Sequence, residues 1–143
     1  MSLKLSDFLK YERIVIQCHD NPDADALASG FALRWYLEKQ GKKPRFIYGG
    51  NSPIAKSNLV LLNENLGINC EYVKTLEAPE LLITVDCQYG ESNVTMFDAK
   101  EIAIIDHHQI APGKKLPKLC EIRSGIGCCC TVIWDMMRKE KFT

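Results

Sequence analysis

Ile102-Ala103-Ile104-Ile105-Asp106-His107-His108 is the stretch on which the fold turns. Four apolar residues in an unbroken row read as a short strand buried on both faces. The row ends abruptly in one carboxylate and two imidazoles. Two earlier segments repeat this arrangement. Ile14-Val15-Ile16 leads into His19-Asp20-Asn21-Pro22-Asp23-Ala24-Asp25, and Leu81-Leu82-Ile83-Thr84-Val85 stops at Asp86. All three histidines of the chain lie in these stops. If the runs are neighbouring parallel strands, their carboxyl ends gather every imidazole and at least four carboxylates on one rim. Open α/β sheets place their ligands at that edge.

The intervening segments supply the helices that parallel strands require. Leu27, Phe31, Leu33, Leu37 and their neighbours recur at three- and four-residue spacing, predicting a helix from Asp25 to Gln40 with Gly41 as its stop. Arg45 to Tyr48 reads as a strand closed by Gly49-Gly50, where a plain turn is the expected reading. Leu59 to Leu66, ended by Gly67, reads as a second helix starting after Pro53. Cys70 to Val73 is a brief strand, Ser92 to Phe97 a short helix or turn, Lys118 to Ile122 an edge strand, and Cys128 to Lys139 a final helix. Such alternation implies crossover connections. The expected architecture is therefore α/β: a doubly wound, mostly parallel five-stranded sheet with helices on both faces. No repeat or linker interrupts residues 1–143, so one domain is expected.

Composition narrows the function classes. Eighteen basic and eighteen acidic residues leave no global field favouring long nucleic acid or a membrane surface. Apolar content of 46% with 25% charged residues is typical of a globular chain. No apolar stretch approaches the roughly 20 residues that span a bilayer, and the N-terminus lacks the apolar core of a signal peptide. Seven cysteines, with no spacing that reads as a zinc clip, suit a reduced, cytoplasmic protein. Cys128-Cys129-Cys130 leaves a minor redox reading open.

The three stops suit a cation. His19 offers one imidazole nitrogen, and Asp23 and Asp25 offer hard carboxylate oxygens from a turn that Pro22 keeps out of helical geometry. That donor mixture fits Mn²⁺ or Mg²⁺, with Zn²⁺, Fe²⁺ or Co²⁺ less discriminated. Asp25 could equally cap the helix it opens. Asp86, central on the rim, could bridge two ions. Two cations about 3.5–4 Å apart can clamp the attacking and leaving oxygens of a phosphorus centre and generate hydroxide from water.

Taken together, His19-x-x-Pro22-Asp23-x-Asp25-Ala26, the strand-end Asp86 and Asp106-His107-His108 resemble the first three motifs of the DHH phosphoesterases. That family includes manganese-dependent inorganic pyrophosphatases, exopolyphosphatases, oligoribonucleases and cyclic dinucleotide phosphodiesterases. The resemblance implies that His19, Asp23 and Asp86 hold one ion, and that Asp25, Asp86 and His107 hold a second. It further implies that His108 faces the substrate phosphate or the nucleophile, and that Asp106 orients the imidazoles. Ala24 stands where a glycine is common. In the pyrophosphatase and oligonuclease branches a further aspartate follows the helix after Asp-His-His. No such residue can be placed here, and Asp135, inside the predicted helix, is a poor substitute. The chain is thus expected to be the catalytic core of a longer protein.

The implied activity is hydrolysis of a phosphodiester or phosphoanhydride by a two-metal hydroxide mechanism, with Mn²⁺ or Mg²⁺ as cofactor. The implied partners are a small phosphate-containing substrate or a short oligonucleotide, without a membrane and with room for a homodimer. A non-hydrolytic metal- or nucleotide-binding regulatory module is the alternative.

Overall fold

The structure, a computed structural model, describes residues 2–142 and contains the expected parallel sheet. Its strands are β1 (Ile14–Gln17), β2 (Arg45–Tyr48), β3 (Glu71–Tyr72), β4 (Leu81–Val85), β5 (Glu101–Asp106) and β6 (Leu119–Ile122). They lie in the order β3-β2-β1-β4-β5-β6, and every pairing is parallel. The expected five strands become six because both brief edge runs pair, β3 on β2 and β6 on β5.

The chain winds outward from β1 through β2 to β3, returns to the middle at β4, and winds the other way through β5 to β6. The switch point lies between β1 and β4, where Gln17 pairs with Thr84, while Val85 pairs with Ile105 in the next ladder. These registers bring the ends of the three central strands to one level.

Side chains alternate across the sheet, as the pleat requires. Ile14, Ile16, Phe46, Leu81, Ile83, Ala103 and Ile105 join the main core with helices α1 (Ala24–Lys39) and α3 (Cys129–Lys139), and Leu59 and Leu62 of α2 (Ser57–Asn65) rest against it. An N-terminal 3-10 segment, Leu5–Lys10, adds buried Leu5 and Phe8 to the same core. The alternate residues Val15, Ile47 and Leu82 face the other side.

There the expected helical layer is replaced by loops. Val73, Leu76, Tyr89, Phe97 and Ala99 form the cover, and the Tyr89 hydroxyl donates to the Phe97 carbonyl at 2.6 Å. Gly90, Ser92 and Asn93 in the β4–β5 crossover favour turns over a helix, and Ser92 to Phe97 accordingly forms none.

The ends of α1 are set locally. Asp23, rather than Asp25, is the N-cap, accepting from Ala26 N at 2.9 Å. Gly41 (φ 87°) stops the helix in the left-handed conformation, with its N–H on Glu38 O and Lys42 N on Leu37 O. No helix of the described residues is long and apolar enough to cross a membrane.

Candidate metal centre

Three strand ends and one helix start build the rim. His19 lies two residues beyond β1, Asp86 directly beyond β4, and Asp106 and His107 at the end of β5. Asp23 and Asp25 open α1, which starts above the switch point. Asp86 is left-handed (φ 60°), a conformation aspartate tolerates better than most residues. Its N–H still bonds Ile105 O at 3.1 Å, and its carboxylate, 2% exposed, lies between two imidazoles.

That placement has a specific electrostatic consequence. His19 Nδ1 faces the Asp20 carbonyl at 2.7 Å, and His107 Nδ1 faces the Ile126 carbonyl at 3.0 Å. A ring nitrogen facing a carbonyl carries the proton, so each neutral ring presents Nε2 as a lone pair. His19 Nε2 is 3.4 Å from Asp86 Oδ2, and His107 Nε2 is 3.1 Å from Asp86 Oδ1. Lone pairs facing lone pairs repel unless a proton or a cation stands between them.

The surrounding carboxylates sharpen this demand. Asp23 Oδ1 is 3.7 Å from His19 Nε2, and Asp25 Oδ2 is 3.6 Å from His107 Nε2. Ligand atoms of His19, Asp23 and Asp86 lie within 4.8 Å of one another, as do those of Asp86, Asp106, His107 and His108. Burial works against a charged His19, yet the Asp86 carboxylate and the Asp20 carbonyl outweigh it and push its pKa up to about 9. Asp86 is itself raised, first by burial and then by the charges of Asp25 and Asp23, against the lowering pull of His19. The rim thus holds more negative charge than its histidines neutralise. With imidazole nitrogens and carboxylate oxygens converging on one carboxylate, the donor set fits divalent cations of the Mn²⁺ and Mg²⁺ type.

His108 stands beside this group, its ring 4.3 Å from that of His107 between centroids. Its Nδ1 is 2.8 Å from Oδ1 of fully buried Asp106. The side chain is 52% exposed, and among the described residues no hydrogen bond engages its Nε2. Gln88 Nε2 donates to Asp106 Oδ2 at 3.0 Å, so both oxygens of Asp106 are held and its orientation is fixed. Asp106 therefore orients His108 alone, whereas the Ile126 carbonyl orients His107. A cavity of about 200 Å³ opens next to His108, lined by Gln88, Ser92, Asn93 and Gln109 among others.

Asp25 has a role that sequence reading missed. Its Oδ2 accepts from Cys129 N at 2.9 Å and its Oδ1 from Cys130 N at 3.0 Å, so it caps α3 from across the fold. Burial opposes ionisation of Asp25, but these two N–H groups hold its carboxyl below the ordinary value. Gln88 and the Asp20 and Ile126 carbonyls were equally hidden, because no periodicity or motif marks a supporting hydrogen bond. Asp135 is accounted for differently: it pairs at 2.6 Å with Arg123, one residue past β6, and at 2.6 Å with Arg138 of its own helix, tying α3 to the end of β6.

Fold and rim define a doubly wound α/β protein with a candidate divalent-metal centre at its switch point. The chain belongs to the DHH family: the model described as "DHH family, N-terminal domain" matches residues 13–143. A probable manganese-dependent inorganic pyrophosphatase of Staphylococcus aureus (strain JH9) is 24% identical over 124 residues, covering 87% of this chain and 40% of that protein. The corresponding protein of strain N315 matches to the same extent. The chain thus spans about two fifths of the curated relatives it matches. A crystal structure of an exopolyphosphatase-related protein from Bacteroides fragilis superposes with a TM-score of 0.62 at 14% identity, covering 96% of this chain and 44% of the other.

Proposed function

We propose that residues 1–143 form the metal-binding catalytic domain of a phosphohydrolase that acts with two divalent cations, Mn²⁺ or Mg²⁺, on a small phosphate compound. Pyrophosphate is the leading substrate and a short oligonucleotide the next. The observation that carries this reading is the Asp86 carboxylate facing the inner nitrogens of both His19 and His107. The family, and the manganese-dependent pyrophosphatases among the relatives, support it.

His19, Asp23 and Asp86 would hold one ion, and Asp25, Asp86 and His107 the other. When bound, such cations polarise a phosphate and make a water molecule more acidic. The chain's own residues supply the rest. Asp86 fixes the spacing of the two positions, and the Asp20 and Ile126 carbonyls keep both imidazole tautomers correct for ligation. His108, steadied by Asp106, presents Nε2 to a phosphate oxygen and can carry a proton there.

Calorimetric Mn²⁺ titration, with hydrolysis of pyrophosphate, a short oligonucleotide and a cyclic dinucleotide measured on the same preparation, tests the proposal. Two ions per chain and manganese-dependent turnover are expected, both lost in Asp86→Asn. Metal uptake without turnover of any of these substrates refutes the enzyme reading.

A second reading rests on Asp25, whose two oxygens already hold the N–H groups of Cys129 and Cys130. If that cap excludes an ion, the domain binds a single cation and serves as a non-hydrolytic regulatory module. One tight Mn²⁺ site instead of two is its signature.

A further inference from the structure

Three consecutive cysteines do not behave alike here. Cys129 is buried in the main core, with Sγ 3.3 Å from the Ile105 carbonyl. Cys128 and Cys130 are partly exposed, and their sulfurs lie 3.4 Å apart. In a regular helix, residues two apart point in different directions. Cys128 escapes that rule because it precedes α3 in extended conformation (φ −153°, ψ 154°), which swings its thiol back over Cys130. The third partner comes from α1. A ligand atom each of Asp25, Cys128 and Cys130 lie within 4.8 Å of one another.

We propose that Cys128, Cys130 and Asp25 form a binding site for a thiophilic divalent cation of the Zn²⁺ class, chemically distinct from the rim but sharing Asp25 with it. The dimensions fit: zinc–sulfur bonds of about 2.3 Å in tetrahedral geometry put two sulfurs roughly 3.8 Å apart, a few tenths of an ångström beyond the observed separation. The chemistry fits too. Two sulfurs and one carboxylate favour soft or borderline ions, whereas the oxygen-rich rim favours hard ones. Binding displaces the two thiol protons to solvent. The resulting thiolates face the positive end of α3, and the Thr131 hydroxyl, 2.9 Å from Cys128 Sγ, can donate to one of them. Partial exposure of both cysteines gives the ion an entry path.

One consequence rests on the two-cation reading of the rim. Asp25 Oδ2 lies 3.6 Å from His107 Nε2, so an ion drawing Asp25 toward the sulfurs withdraws a ligand from the second rim position. A thiophilic ion then acts as an inhibitor from outside the rim.

The test is a Cd²⁺ titration of the reduced, metal-free chain, followed by sulfur-to-cadmium charge-transfer absorption. Saturation at one ion per chain is expected, and excess Mn²⁺, by competing for Asp25, weakens the binding without abolishing the signal, because both sulfurs remain. Cys128→Ser and Cys130→Ser each weaken binding more than about 100-fold, beyond the loss expected for a merely supporting contact. Cys120→Ser, remote on β6, leaves the absorption unchanged, and circular dichroism verifies that every variant is folded. An unaltered signal in the Cys128→Ser/Cys130→Ser double variant, or no saturable signal in the wild type, overturns the site. Asp86→Asn separates the two readings. It abolishes Mn²⁺ uptake if the rim reading holds, and it leaves the Cd²⁺ signal in place if the thiol site exists.

Discussion

Replacing Gly30 by alanine should destabilise the protein, although alanine is the better helix former. Gly30 sits on the inner face of α1. A Cβ built there would stand 1.9 Å from Phe46 Cζ, 2.1 Å from Cε1 and 2.5 Å from Cε2. Ordinary contact begins at 3.4 Å, so helix and ring must separate by about 1.5 Å. Phe46 is 1% exposed on β2, which is flanked by β1 and β3, so its ring can move only by displacing packed neighbours. Overpacking of this kind costs about 1–3 kcal/mol, and so large an overlap belongs at the upper end. Alanine returns about 1 kcal/mol of helix propensity. The net loss is about 2 kcal/mol, equivalent to a fall in Tm of roughly 6–8 °C for a domain of this size. Urea denaturation followed by far-UV circular dichroism measures it. Trimming the ring in the Gly30→Ala/Phe46→Leu double variant should recover about 1–2 kcal/mol relative to additivity. A neutral or stabilising Gly30→Ala, or strict additivity in the double variant, would refute the steric argument.

Three further outcomes concern the rim. In metal-free protein the raised His19 pKa stabilises the fold fully below pH 6.5, and that contribution disappears as pH rises through about 9. Denaturation in EDTA should therefore show about 2–3 kcal/mol of stability lost across that window, solvent screening included, and Asp86→Asn should flatten the difference. An equal pH slope in both proteins would contradict it. Mn²⁺ uptake near pH 7.5 should expel about one proton from His19, seen as buffer-dependent calorimetric heat, and identical heats in HEPES and Tris would count against it. Asp106→Asn should lower kcat about 100-fold or more while leaving Mn²⁺ stoichiometry unchanged, because it frees His108 without touching the shared carboxylate. Loss of Mn²⁺ sites in that variant would place Asp106 among the ligands instead.

The three acidic and histidine stops were legible because each follows a buried apolar run, and a parallel sheet must align the carboxyl ends of such runs. His19, Asp86 and His107 accordingly converge. All six strand runs could be read, but that both edge runs pair into the sheet, and that loops cover one of its faces, was not legible in the same way. Edge pairing of two residues, Glu71 and Tyr72, depends on what lies alongside them. A crossover rich in Gly90, Ser92 and Asn93 carries no period from which to infer that Tyr89 and Phe97 cover a sheet.

By itself, then, the sequence determined the alternation of strands and helices, the limits of the first helix near Asp25 and Gly41, and the residue types on the rim, since all of these follow from local periodicity and turn chemistry. Only the tertiary structure decided what those residues do to one another. It placed Asp25 on the N–H groups of α3 and Gln88 under Asp106, and it brought Cys128 and Cys130 to Asp25, across 103 and 105 positions of sequence. Hydrogen bonds and ligand groupings of that span depend on how α1 and α3 meet over the sheet. No local pattern encodes that meeting, because the interaction energy exists only once both helices are packed.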